Sequence, residues 1–286
     1  ALDPSFFREV GEQALEDAAI PENRLAPAGV GDAAALEAFD KSLGGLRSRL
    51  VDWGARSPAV VADAVRRVLG RSDLDDAEAL AIALDPARNP YRLETLNVST
   101  HAPLMRALEH AHYTFRKKLS HSADSQDQRH RMVPGSRPLL SRSVPAHVDV
   151  VEPELIREDP ACHALFEDAV SDARQARERL LALGVAPQLA LYLLPNALAV
   201  RFEESGSLLH LIHKWTMRSC LNAQREIWDA SMDEIEQVRA VHPELMQHVG
   251  PPCFVRDGLA RPRCTEGSHF CGVPVWRSFP DVTRRI

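Results

Sequence analysis

A short stretch in the middle of the chain combines arginine, histidine and amide side chains in a pattern that suits binding of an anionic ligand. It runs from Glu109 to Arg142 and contains the triplet Arg129-His130-Arg131, with Gln126 and Gln128 just before it. Arginine offers a planar fork of donors to phosphate, and imidazole can donate to an anion or stack on a ring. The stretch has no serine or cysteine motif typical of a catalytic nucleophile. The two interpretations are a phosphate-bearing ligand and a solvated polar helix face.

The overall charge indicates that any anion site is local. The 286 residues include 34 Lys and Arg against 40 Asp and Glu, which gives a formal net charge of −6. A protein that binds nucleic acid by bulk electrostatics is expected to be basic, so we expect no nucleic-acid partner.

The distribution of apolar residues argues against a membrane protein. No apolar run approaches the roughly 18 to 20 residues that a membrane helix needs. The first residues are acidic with a helical pattern and lack the basic, then apolar, pattern of a secretory signal, so we expect a cytoplasmic protein. Five cysteines fit this location as thiols or metal ligands, since an odd number argues against a purely disulfide framework.

The first third of the chain is predicted to be a helical region, residues 1–90. Apolar residues at three- and four-residue spacing predict helices near 32–43, 58–70 and 75–84, and Ser57-Pro58 is typical of a helix start. Residues 20–32 have the composition of a linker. We interpret this region as a helical cap or an oligomer contact.

The elements around the triplet change type within a few residues. Leu104 and Leu108 have helical spacing, whereas Tyr113 and Phe115 alternate as in a strand. His110 is therefore predicted at a helix end or turn, where its side chain could face a cleft. The pair Pro134-Gly135 predicts a loop, which would place the triplet at the end of a helix.

Later segments predict two long helices separated by a strand. Residues 161–183 form an amphipathic pattern that ends at Gly184, and Pro195 separates a helical half from a strand-like half ending at Arg201. Ser207 is expected to cap a further long helix that is broken near residues 220–222. On that helix a stripe of polar residues could serve a ligand or form the wet face: His210, Lys214, Arg218 and Arg225.

The C-terminal tail has a second group of residues with chemical potential. Cys253, Cys264 and Cys271 fall among glycines and prolines, and His269 is a candidate fourth ligand, with His248 as another. Thiolates in a stiff loop suit tetrahedral zinc, and a tail without its own core would gain stability from such a clip. Free thiols, one disulfide plus a spare cysteine, and an iron–sulfur cluster are the alternatives. Cys162 and Cys220 are predicted to be core residues.

The order of several short motifs resembles the flavin-dependent thymidylate synthase family over residues 95–235. The matching elements are Glu109-His110, Tyr113-Thr114-Phe115-Arg116, Arg129-His130-Arg131, Gly184-Val185, Leu194-Pro195 with Arg201, and Arg218 with Asn222-Ala223-Gln224-Arg225-Glu226-Ile227. Each motif is short, but their order and spacing agree together.

The resemblance implies an α/β (α+β) fold and a homotetramer with FAD sites between subunits. It also implies that flavin reduced by NADPH delivers a hydride while a methylene group moves from methylenetetrahydrofolate to C5 of dUMP or a related pyrimidine nucleotide. A cofactor that carries the chemistry asks the protein only for orientation and charge. Together with the residue patterns outside the matched region, the resemblance predicts a helical region at 1–90, the family-like core at 91–250, and a Cys-containing tail at 251–286.

Site residues follow from the same motifs. The resemblance implies that FAD is held by six residues: His110, Arg129, His130, Arg131, Arg218 and Asn222. It implies contacts to the pyrimidine nucleotide from Gln126 and Arg201, with Arg142 as a displaced cation.

The chain departs from the family in the nucleotide-binding half of the pattern. Four positions after the triplet differ from the family's Ser, Asn, Ser and Arg: Pro134, Ser136, Leu139 and Ser141. Trp228 stands where the family has a further arginine. The alternative to an enzyme is therefore a non-catalytic relative that binds flavin, nucleotide or metal as a scaffold.

Overall fold

The computed structural model describes residues 33–92, 98–144 and 148–284, together with residues 22 and 25. The chain divides into two compact units, residues 1–42 with 137–200, and residues 43–136 with 201–286. The predicted linker at residues 20–32 lies almost entirely outside the described residues. Within the described part of the chain, no helix combines the length and apolar character needed to cross a bilayer.

Four strands form one small sheet, which agrees with a mixed α+β fold. They are β1 (Ser48–Trp53), β2 (His112–Ser120), β3 (Gly135–Ser136) and β4 (Ala199–Ser207), in the order β1-β2-β4-β3. β1 pairs antiparallel with β2, placing Ser48 opposite Lys117, and β3 pairs antiparallel with β4. Tyr113 and Phe115 are fully buried on β2, so the predicted alternation is confirmed.

The strand β1 corrects the prediction that residues 1–90 are helical throughout. The first helix ends at Leu43 because Gly44 and Gly45 follow with φ values of 62° and 89°, which glycine adopts without steric cost. The next residues pair with β2 and bury Ser48 and Leu50 on alternate positions. The helix predicted near residues 32–43 therefore ends at this double glycine, and a strand follows it.

The three helices predicted in the first third are confirmed. They are α1 (Ala33–Leu43), α2 (Ser57–Leu69) and α3 (Asp76–Leu84). Gly70 ends α2 in the left-handed conformation, with φ 63°. Asp75 caps α3 through a capping box with Glu78.

The predicted break in the long C-terminal helix is also confirmed. The chain forms α10 (Leu208–Arg218) and α11 (Arg225–Val241), separated by a turn at residues 219–224. Both helices contribute buried residues to the core of the larger unit, including Trp215, whose ring meets Phe115 edge-on at 6.4 Å. The longest helix in the described part of the chain is α8 (Pro160–Ala182). The short helices are α4 (Pro103–Arg106), α5 (His121–Asp127), α6 (Leu140–Ser143), α7 (Glu154–Arg157), α9 (Pro187–Ala190), α12 (Pro243–Met246) and α13 (Pro252–Val255).

The smaller unit has a modest apolar core of its own. Val144, Val148 and Leu198 are buried together, and Val150 forms an antiparallel bridge with Leu198. The helix α8 carries the predicted amphipathic segment, and Gly184 follows it with φ 81°.

Two lysines and three carboxylates lie fully buried in the larger unit, and we call them the charge cluster. The Nζ atom of Lys117 lies 2.7 Å from Asp127, 3.1 Å from Glu204 and 2.9 Å from Glu234. The Nζ atom of Lys214 lies 3.0 Å from Asp127, 3.5 Å from Glu234 and in contact with Glu204. Burial raises the pKa of Glu204 to about 7, so a proton on this residue offsets the excess negative charge.

Replacing Lys214 by Met should lower the free energy of unfolding by about 3 to 5 kcal/mol, because it leaves three buried carboxylates with Lys117 as their one remaining cation in the cluster. Chemical denaturation measures this change. Lys41→Met is the control, since the Lys41 side chain is 75% exposed in an ion pair with Glu37 and should change stability by less than about 1 kcal/mol. Equal stability of the two variants would contradict the structural role of the cluster.

Candidate functional site

A cavity of about 870 Å³ in the larger unit brings the triplet together with residues from distant parts of the sequence. Its volume falls in the range of roughly 300 to 1,000 Å³ that is usual for ligand sites. The lining residues are mainly basic or imidazole side chains: Thr100, His101, Arg106, Glu109, His110, Arg129, His130, Arg131, Met132, Val133, His210 and His213.

Local structure places the triplet directly after the helix α5. Ser120 caps this helix by accepting a hydrogen bond from the backbone of Ala123, and Glu226 accepts from both the backbone N–H and the hydroxyl of Ser120 at 2.6 Å. The helix ends at Asp127, whose carboxylate belongs to the charge cluster and whose carbonyl accepts from the backbone N–H of His130. The helix α5 is therefore fixed at both ends, and the triplet begins in the turn that follows it.

His130 is the buried member of the triplet, with 8% of its surface exposed, while Arg129 and Arg131 are exposed. Its Nε2 atom accepts a hydrogen bond from Nε of Arg218 at 3.0 Å, and its ring meets that of His213 edge-on at 5.7 Å. Burial lowers the pKa of His130 to about 3, with a further contribution from the positive charge of Arg218. Its Nδ1 atom is buried without a hydrogen-bond partner.

Arg218 connects His130 to Gln126. Its Nη2 atom donates to the carbonyl of Gln126 at 3.0 Å, and Nη1 donates to Oε1 of the same residue at 3.4 Å. Gln126 in turn donates to the side chain of Gln224 at 2.9 Å. Burial lowers the pKa of Arg218, and the positive charge of the nearby Arg129 lowers it further. All three nitrogens of Arg218 are directed at protein acceptors, so its role in this arrangement is positional.

The cavity also includes residues that are not among the predicted flavin and nucleotide contacts. Glu109 and His210 lie in contact in its wall, with 3.0 Å between Oε1 and Nε2. His101 and His213 complete the group of five histidines in the lining. The signal available in the sequence was the spacing of His210 and His213 at the start of a helix, which places both near one end of it.

The polar stripe on α10 and α11 is not the wet face of a helix. Lys214 is fully buried in the charge cluster, and Arg225 pairs with Asp229 at 3.0 Å. Of the four residues in the stripe, His210 alone lines the cavity.

Three residues that were expected to contact the ligand are not among the residues that line this cavity. Asn222 donates to Glu266 at 3.2 Å and to the carbonyl of His269 at 2.7 Å, so its side chain is directed at the tail. Arg201 is half-buried on β4 and is not among the lining residues. Arg142 belongs to the smaller unit, on α6.

The described cysteines differ from the prediction in two respects. Cys162 is exposed on α8 and Cys220 is half-buried in the turn after α10, so neither is a core residue. Within the part of the chain that the structure describes, no three His, Cys, Asp or Glu side chains are arranged around a point where one metal ion could bind. The predicted zinc site of Cys253, Cys264, Cys271 and His269 is thus without support as a single-ion site.

Comparisons with known proteins agree with the motifs around the cavity. A relative from Geobacter sulfurreducens named flavin-dependent thymidylate synthase is 30% identical over 176 residues, covering 58% of this chain and 70% of that protein. Relatives with the same name from Nitratidesulfovibrio vulgaris and Sulfurisphaera tokodaii are 30% and 28% identical, covering 60% and 54% of this chain.

The extent of these matches differs between relatives. The matched region spans 73% of the Nitratidesulfovibrio protein and 60% of the Sulfurisphaera protein. A family model described as thymidylate synthase complementing protein matches residues 49–244, which begins in β1 and includes the triplet, the charge cluster and both halves of the broken helix. With more than half of its length covered by this match, the chain belongs to the thymidylate synthase complementing protein family.

Proposed function

We propose that this chain is a flavin-dependent thymidylate synthase that binds FAD in the cavity around His130. The observation that carries the proposal is a buried imidazole nitrogen without a partner, flanked in sequence by two exposed arginines that also line the cavity. Family membership and the names of the relatives support the choice of ligand.

The protonation state of His130 defines what it can offer a ligand. Because its pKa lies near 3, the ring is neutral at neutral pH. Its Nε2 atom accepts the hydrogen bond from Arg218, so the single ring proton resides on Nδ1. A buried N–H donor without an acceptor costs about 1 to 3 kcal/mol, and an acceptor atom of a bound flavin ring or phosphate would remove this cost.

The two exposed arginines supply the complementary charge. Arg129 and Arg131 flank His130 in the cavity lining and would hold the diphosphate of FAD, for which guanidinium groups are suited. His110 lines the same cavity and would contact the cofactor beside them. Arg218 would contribute indirectly by orienting His130 and Gln126, and Asn222 would contribute indirectly by its hydrogen bonds to the tail.

When bound, FAD supplies hydride transfer, so the protein needs no nucleophile of its own. We propose dUMP or a related pyrimidine nucleotide as acceptor, with methylenetetrahydrofolate and NADPH as the other substrates. Gln126, Arg201 and Arg142 are the proposed nucleotide contacts. A homotetramer, in which neighbouring copies complete each site, is part of the same proposal.

Replacing Arg129 or Arg131 by Ala should weaken FAD binding at least about tenfold each, because each substitution removes a charge-assisted contact to phosphate. Titration of the flavin-free protein with FAD, followed by the visible flavin absorbance, measures the dissociation constant. Arg67→Ala is the control, since Arg67 is exposed on α2 outside the cavity. Unchanged affinity in both variants would exclude the cavity as the flavin site.

The activity itself is tested by thymidylate formation from dUMP, methylenetetrahydrofolate and NADPH. The wild-type protein and Arg67→Ala should turn over, and Arg129→Ala should lose most of its turnover at low FAD. A flavin-loaded protein that methylates no pyrimidine nucleotide would instead support the scaffold alternative.

The stability of the wild-type protein should fall with decreasing pH between 6.5 and about 3 through His130. The unfolded chain binds a proton in this interval and the folded chain does not, so the slope for one proton is about 1.4 kcal/mol per pH unit. His130→Gln keeps an acceptor for Arg218 but cannot titrate, and should remove this part of the slope. Denaturant unfolding of both proteins across the interval measures the difference.

His163→Gln provides a control of opposite sign. A hydrogen bond to Glu152 raises the pKa of His163, so its stabilising effect is present at low pH and is lost as the pH rises. If His130→Gln and the wild-type protein show the same slope, His130 is not a buried neutral imidazole and its proposed donor role is wrong.

A further inference from the structure

Four of the five cysteines come together in the larger unit although they are distant in sequence. Cys253 interacts electrostatically with Cys220, Cys264 and Cys271, and Cys220 interacts with Cys264 and Cys271. All four are free thiols. The fifth, Cys162, lies exposed on α8 in the other unit.

A hydrogen-bonded tether brings Cys220 to the tail independently of any charge on the thiols. Asn222, two residues after Cys220, donates to the side chain of Glu266 and to the backbone carbonyl of His269. Both acceptors lie between Cys264 and Cys271. The turn after α10 is therefore fixed against the loop that carries two of the cysteines.

The tail has little apolar burial to define its path. Among the described residues from 256 to 284, Val275 is the only one that is buried. Its secondary structure consists of two short 3₁₀ turns, Gly267–His269 and Val275–Arg277. Ring contacts such as Phe254 with Phe279 at 5.2 Å join its ends, but the loop around Cys264 and Cys271 has no apolar core. Segments of this kind are commonly stabilised by disulfides or metal ligation.

A metal centre accounts for this convergence. Cysteine thiolates from separate segments are the ligands of structural zinc and of iron–sulfur clusters, and metal binding releases the thiol protons.

The arrangement of the four cysteines distinguishes between a single metal ion and an iron–sulfur cluster. A single zinc ion needs four sulfurs about 2.3 Å from one point, and none of the described Cys and His side chains forms such a group. An iron–sulfur cluster is also ligated by four cysteine thiolates, but these are shared among two or four irons, so the four sulfurs do not surround a single metal ion.

We propose that Cys220, Cys253, Cys264 and Cys271 together ligate an iron–sulfur cluster that fixes the tail to the turn between α10 and α11. Cys220, and not His269 as predicted from the sequence, is then the fourth ligand. The side chain of His269 is exposed, and its backbone carbonyl accepts the hydrogen bond from Asn222. The turn also follows Arg218 directly, so the cluster would help to hold the residue that orients His130. None of the four cluster ligands is a proposed FAD contact, so the cluster can be present whether or not the protein has the proposed activity.

The test is metal analysis of the full chain, purified anaerobically and then reconstituted with ferrous iron and sulfide. The wild-type protein should retain iron and acid-labile sulfide after desalting. Each of Cys220→Ser, Cys253→Ser, Cys264→Ser and Cys271→Ser should lose most of both. Cys162→Ser and His269→Ala are the matched controls and should retain them.

Three results would overturn the proposal. Wild-type protein that binds neither iron nor sulfide has no cluster, and protein that binds zinc instead has a single-ion site. Iron and sulfide retained at the wild-type level by Cys220→Ser, but lost in His269→Ala, would assign the fourth ligand to His269. Because iron and sulfide are measured chemically, bound flavin does not affect the result, and wild-type reconstitution decides the question even if a variant fails to fold.

Discussion

The buried charge cluster is the constraint on which the larger unit depends. Lys117 on β2 and Lys214 on α10 share the carboxylates of Asp127, Glu204 and Glu234, which come from α5, β4 and α11. A buried charge without a partner is far more costly than a lost apolar contact, so these five elements have few alternative registers. An apolar core tolerates small shifts, whereas paired charges require defined distances.

The same cluster sets the geometry and the electrostatics of the candidate site. Asp127 ends α5 two residues before Arg129, and Lys214 directly follows His213 and precedes Arg218 by one helical turn. The positive charges of Arg218 and Lys214 add to burial in keeping His130 neutral. A change in the cluster would therefore reach the cavity both by moving the triplet and by altering the protonation of its central imidazole.

The sequence predicted local elements well and long-range partners poorly. The strand at Tyr113 and Phe115, the helix α3 and the break after Arg218 follow from patterns within a few residues. The burial of Lys117 and Lys214 could not be foreseen, because their partners at Glu204 and Glu234 are set by tertiary structure. The motif order did identify the triplet region, since the family resemblance contains long-range information that local patterns lack.

One departure from the family pattern, Trp228, lies where the turn after α10 meets the tail. Trp228, at a position where the resemblance implies an arginine, is buried and donates from Nε1 to the carbonyl of Ser219 at 3.1 Å, while the guanidinium of Arg284 lies 5.9 Å from its ring. Asn222 likewise donates its side-chain hydrogen bonds to residues of the tail. Both side chains therefore stabilise the turn that directly follows Arg218, and Trp228 offers no positive charge to an anionic ligand.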